Sequence, residues 1–285
     1  MSVARRESGV SFVLSATLYQ CVTYFAFGLM ASAIFRYDAL FSLPVIGDYY
    51  RPYGSAASLV GPASQLLRGA LFGLVLLPLR EFLRGERLGW LWLWMLFLVI
   101  GIVGTPSASP GSIEGAIYTR LPLWFHLIGL PEIGLQTLAF SLLVHRRLRS
   151  REHPLPAAAT RAIRCLAASC ISFIGYTVVS VAFALLSGVK VDQADASPAV
   201  LGQFLAPLAL TFVAALMDRI DNRLRHALLY VASAGSIWLY QEIVLGSGGW
   251  LYSLLAPLLP VAISLLLAMR AEAAKARDNR RRDQP

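Results

Sequence analysis

Eight long apolar runs, separated by short charged segments, dominate this chain and leave few ways for it to fold. A membrane-spanning helix needs about 20 mostly apolar residues. Runs of that kind lie at 10–35, 56–79, 88–104, 121–144, 162–187, 198–217, 224–245 and 249–269. The third is short but dense and opens on Trp90, Trp92 and Trp94. Of the 285 residues, 57% are hydrophobic and 14% charged, against about 45–50% and about 25% in soluble domains. One soluble core of this size cannot hide so much apolar surface, so lipid must be its solvent. The expected fold is an all-α integral membrane protein, a bundle of about eight transmembrane helices with short loops.

The positive residues test this count independently, because cytoplasmic loops carry an excess of Lys and Arg. With eight spans, both termini and the even-numbered connections share one side. That side carries 20 basic residues: Arg5, Arg6, the clusters after the second, fourth and sixth spans, and the tail from Arg270. The other side has Arg36, Arg51, Arg120 and Lys190, and Arg68 lies within a span. The expectation is a multi-pass protein of the cytoplasmic (inner) membrane with both termini cytoplasmic. Tyr37, Tyr49, Tyr50 and Tyr53 lie in the first outer loop, with Trp124 and Trp250 at outer ends of spans, where rings with a polar handle favour the interface.

The linker 145–161 divides a single membrane domain, 1–270, into four-span halves at about 1–148 and 160–270. Both halves begin inside, so any repeat is parallel, and no residue-level match joins them. Residues 271–285 read as a basic cytoplasmic tail near anionic lipid headgroups. The first run follows Arg5 and Arg6, as a signal peptide would, but 10–35 exceeds the roughly 7–15 residues of a signal core. It reads as an uncleaved span.

Several function classes drop out. The net charge of +9 sits at span ends rather than in a basic-aromatic groove, which argues against nucleic acid. Cys21, Cys165 and Cys170 are an odd set inside apolar runs and read as small hydrophobes, not a disulfide frame or metal site. Only His126 lies within a span, while His145, His153 and His226 fall at the cytoplasmic edge, so a multi-His metal or haem site is not expected. No phosphate loop, HExxH or GxSxG occurs, and no span histidine follows Ser247 to serve as its base. No cofactor is implied. Asp218-x-x-Asp221 resembles the metal-diphosphate aspartates of intramembrane prenyltransferases. Those enzymes carry a second aspartate cluster between spans two and three, where this chain has LREFLRGERLG. A solvated helix end is the better reading.

The remaining signal is polar residues at membrane depth, which are costly and usually face the bundle interior. Arg68 lies roughly 18 Å along the second span at 1.5 Å per residue, with Gln65 on the same face. Glu132 lies roughly 16 Å along the fourth, with Gln136 one turn later and a kink expected at Pro131. Arg68 and Glu132 are either an ion pair that fixes helix packing or a separable substrate site. His126 reads more simply as a structural hydrogen-bonding group. The connection TPSASPGSIEGAIYTRLP, with Glu114, is too apolar for a plain loop and is expected to dip back as a short helix or lid. Glu242, near the outer end of the seventh span, is a further candidate at that mouth.

Three functions fit these residues. The favoured one is a transporter or channel for a small solute or ion, with an outward-opening site. The others are a membrane-embedded enzyme acting on a lipid or lipid-linked substrate, and a non-catalytic assembly or sensor subunit. Association into homo- or hetero-oligomers stays open.

Overall fold

A computed structural model describes residues 8–51, 55–149, 156–188, 198–217 and 220–282. Arg5, Arg6, Tyr53, Arg151, His153, Lys190, Asp218 and Arg219 lie outside the described residues. Every regular element among the described residues is helical. Among the described residues, six helices are long and apolar enough to cross a membrane: Gly9–Phe35, Leu123–Leu148, Ala157–Leu186, Ala199–Leu216, Asn222–Leu245 and Trp250–Met269. The runs expected at 56–79 and 88–104 form the shorter apolar helices Val60–Leu76 and Gly89–Val103. The chain is thus an all-α, multi-pass membrane protein.

Two compact units divide the chain, residues 1–53 with 61–159, and residues 54–60 with 160–285. The first unit begins with α1 (Gly9–Phe35), capped by Ser8, whose hydroxyl accepts from the Ser11 amide. Two short helices follow, α2 (Tyr37–Leu40) and α3 (Ile46–Tyr49). Next come α4 (Ala56–Leu76), which belongs to this unit from Gly61 onward, α5 (Arg80–Gly85) and α6 (Gly89–Met95), which runs on as a π-helical segment, Leu96–Val103. A short α7 (Ile113–Tyr118) precedes α8 (Leu123–Ile128) and α9 (Leu130–Leu148).

The burial pattern of α4 is inverted relative to a soluble helix. Gln65 is 2% exposed, while Leu67 and Leu71, on the opposite flank, are 66% and 51% exposed. In water such a stripe would be an aggregation surface; against lipid tails it costs nothing, because association between spans depends on packing and polar contacts instead. Two apolar clusters stabilise this unit. One gathers Phe12, Leu76, Leu83, Leu93, Phe140 and Val144, and the other Leu40, Ile46, Leu121 and Phe125.

The second unit comprises α10 (Ala157–Leu186), α11 (Pro198–Gly202) and α12 (Leu205–Leu216). It continues with α13 (Asn222–Tyr240) and its π-helical end Gln241–Leu245, then α14 (Trp250–Leu255) and α15 (Leu258–Arg282). Asp221 caps α13, its carboxylate accepting from the amides of Arg223 and Leu224 at 2.9 and 3.2 Å. Buried amides join the helices of this unit, with Gln241 donating to Gln203 and accepting from Ser253, each at 3.0 Å. The basic tail continues α15 as helix to Arg282, because AEAAKAR is built from strong helix formers.

Candidate functional site

The site grows from the way α4 lies on α1. Gly69 and Gly73 form a small-xxx-small pair that lets two helix backbones approach closely. A Cβ on Gly69 would stand 2.6 Å from Thr17 Cα, and one on Gly73 2.8 Å from Val13 Cα. One turn further along, Gln20 donates its side-chain amide to Gln65 Oε1 at 3.0 Å. Gln65 also donates to the Gly61 carbonyl at 3.1 Å. The amide of Gln65 is therefore committed to helix pairing, and Gln20 is the member of the couple that reaches the site.

Opposite α4, the fourth apolar run is broken into α8 and α9 at Gly129, one residue earlier than the leucine that precedes Pro131. Glu132, in the first turn of α9, packs beside Gly28 of α1, where a Cβ would lie 3.7 Å from its Oε1. The carboxylate accepts a hydrogen bond from the Tyr37 hydroxyl. Arg68 is not its partner. Among the described residues Arg68 makes no ion pair or hydrogen bond, and neither does the amide of Gln136.

Arg68, Glu132 and Gln136 all line one cavity of about 690 Å³, together with Gln20, Thr137 and His126. The volume falls within the roughly 300–1,000 Å³ of sites for small organic molecules. Its walls are mainly aromatic and aliphatic. The π-helical segment supplies Leu96, Phe97, Ile100, Gly101 and Ile102; the wider turn of such segments is frequent at functional sites. Trp94 fastens the start of that segment to α9 by donating to the Gly134 carbonyl at 2.9 Å.

Two aromatic clusters line the cavity. In one, Tyr37 stacks on Phe41 and Phe41 on Tyr50, with centroids 5.0 and 4.9 Å apart, and Tyr50 meets Phe125 edge-on at 5.6 Å. Burial pushes the Tyr50 hydroxyl up to about 12, with the neighbouring Tyr49 adding to the effect. In the other, Phe72, Phe97 and Phe140 close a triangle with sides of 4.6, 5.4 and 5.8 Å.

His126 is 3% exposed and both ring nitrogens are engaged. The Gly111 amide donates to Nδ1 at 3.2 Å, so the neutral ring carries its proton on Nε2, which faces Thr119 Oγ1 at 3.4 Å. The Thr119 hydroxyl donates its own hydrogen bond to the Gly115 carbonyl at 2.7 Å. The ring thereby latches the connection that contains α7, and holds Pro110 and Gly111 against the cavity. The exposed face of α7, Ile113, Ile117 and Tyr118, explains why this connection is so apolar.

Of the seven residues singled out in the sequence, Arg68, Glu132, Gln136 and His126 line the cavity, and Gln65 braces it from behind. Glu114 sits in the first turn of α7, outside the lining, and Glu242 is exposed in the second unit. Tyr37 and Gln20 were missed as site residues. Tyr37 has the signature of an interfacial anchor, and Gln20 is one amide in an otherwise apolar run. Comparison with protein-family models, with curated proteins and with solved structures returned no match.

Proposed function

We propose that this chain is a transporter for a small solute, crossing the cytoplasmic membrane eight times with both termini inside. The reading rests on one observation: two polar groups that have no partner among the described residues, Arg68 and Gln136, share an organic-molecule-sized cavity that two separate aromatic clusters also line. A packing role for Arg68 would leave it paired. A transport site instead keeps groups available for a ligand and places closures on either side of it.

In this reading the Tyr37–Phe41–Tyr50–Phe125 ladder is the outer closure and the Phe72–Phe97–Phe140 triangle the inner one. The close α1–α4 contact moves as a rigid pair. The break at Gly129 and the π-helical segment 96–103 absorb the change, since both interrupt regular α-helical bonding.

Cysteine labelling in sealed vesicles tests this. Cys21, Cys165 and Cys170 are buried, so a membrane-impermeant thiol reagent should report on Gln136→Cys. The expected result is labelling from both faces. Labelling from one face alone, or from neither, rejects transport and favours an enzyme or an assembly subunit. Ser42→Cys and Arg87→Cys, both exposed, should react only from outside and only from inside respectively.

A further inference from the structure

The charges in the cavity say what kind of molecule it takes. Among the described residues, three ionisable groups other than tyrosines line it: Arg68, Glu132 and His126. His126 is spent on Gly111 and Thr119. Glu132 already has a donor, supplied by the chain itself as Tyr37. Arg68 has none among the described residues. The unmet demand is therefore for negative charge. A guanidinium presents planar paired donors that match a carboxylate in a two-pronged contact.

The walls define the rest of the molecule. Eight of the cavity's lining residues are Phe or Tyr, and Leu96, Ile100, Ile102, Ile128 and Ile133 add aliphatic surface. A bare inorganic anion would leave this surface uncovered in about 690 Å³. Aromatic faces also attract cations, but Arg68 in the same cavity opposes one.

We propose that the ligand is an organic anion, a carboxylate met by Arg68 and carried on an apolar body of aromatic size. This rests on reading the cavity as a solute site and adds the chemistry of the solute. Such an anion can arrive from water or from the bilayer as an amphiphile; the two sources share this chemistry.

Purified full-length protein in lipid nanodiscs distinguishes the possibilities by equilibrium binding. Phenylacetate, phenethylamine and phenylalanine share one body and differ in charge, acetate lacks the body, and decanoate partitions into lipid. Saturable binding of phenylacetate at least tenfold tighter than phenethylamine, phenylalanine or acetate is the expected result. Arg68→Gln should weaken it tenfold or more, about 1.4 kcal/mol per factor of ten, with Arg68→Lys intermediate. Tighter binding of decanoate, lost in the same variants, supports the anion and assigns its source to the bilayer.

Because Arg68 is unpaired, Arg68→Gln without ligand should melt no lower than the wild type; a lower Tm counts against the assignment. Equal or tighter binding of the amine or the zwitterion overturns it, as does acetate matching phenylacetate. Failure of both phenylacetate and decanoate to bind saturably overturns it too. Labelling at Gln136→Cys does not depend on ligand charge, so it separates failure of this inference from failure of the transport reading.

Discussion

The hydroxyl of Tyr37 donates to the carboxylate of Glu132, joining residues 95 positions apart in the chain. Tyr37 opens α2, directly after the left-handed turn at Arg36 that ends α1. Glu132 stands in the first turn of α9, where the fourth apolar run is broken. A carboxylate at this depth is costly without a donor. The same tyrosine ring begins the stack through Phe41 to Tyr50. Any movement that opens the cavity at this stack must therefore also uncover Glu132.

Tyr37→Phe keeps the ring stack and removes the donor. Hydrogen bonds to charged groups contribute about 1.5–3 kcal/mol, and a loss in that range is expected in unfolding from bicelles. Glu132→Gln in the same background should cost much less than in the wild type. Additive losses in this double-mutant cycle would show that the two side chains do not act as a pair.

The glycines of α4 are predicted to be intolerant for a reason local to α1. Gly69→Ala and Gly73→Ala each force a Cβ against backbone atoms of Thr17 or Val13, an overpacking cost of about 1–3 kcal/mol. Gly235→Ala in α13 is the contrast, since its added Cβ meets nothing within 4 Å. It should leave stability unchanged or raise it by up to about 1 kcal/mol. Thermal unfolding of the three variants in nanodiscs checks the ranking.

His126→Phe keeps volume but removes both contacts of the latch. The Gly111 amide loses its acceptor, so its hydrogen–deuterium exchange should accelerate at least tenfold. Exchange within α9 should stay as it was. An unchanged rate at Gly111 would mean that the connection is held by other contacts.

Tyr50 makes a prediction about alkaline pH. Its ordinary value near 10 rises to about 12 in the folded chain, first through burial and then through Tyr49. The fold therefore favours the protonated hydroxyl. That stabilisation is fully present below about pH 10 and is lost as the pH climbs towards about 12. Tyr50→Phe should flatten this decline in a pH series of unfolding measurements, and an equally steep decline would remove Tyr50 as its cause.

Much of this was legible in the residues because lipid imposes rules that work at the level of local sequence. Apolar runs, and no tertiary contact, determined that the chain is all-α and multi-pass, since a backbone in hydrocarbon must satisfy its own polar groups. Arg68, Glu132, Gln136 and His126 stood out for the same reason, as polar groups at depths where lipid offers no partner. The choice of partners belonged to the tertiary structure. Depth along two helices made Arg68 and Glu132 look like a natural pair. The rotation of each helix and the path of the first connection instead brought Tyr37 to Glu132 and left Arg68 facing the cavity. Gln65 stood out because it shares a helix face with Arg68, yet Gln20 is the one that lines the cavity. Which of them lines the cavity was decided by the glycine contact between α1 and α4, because only helix packing sets which face of each span looks inward.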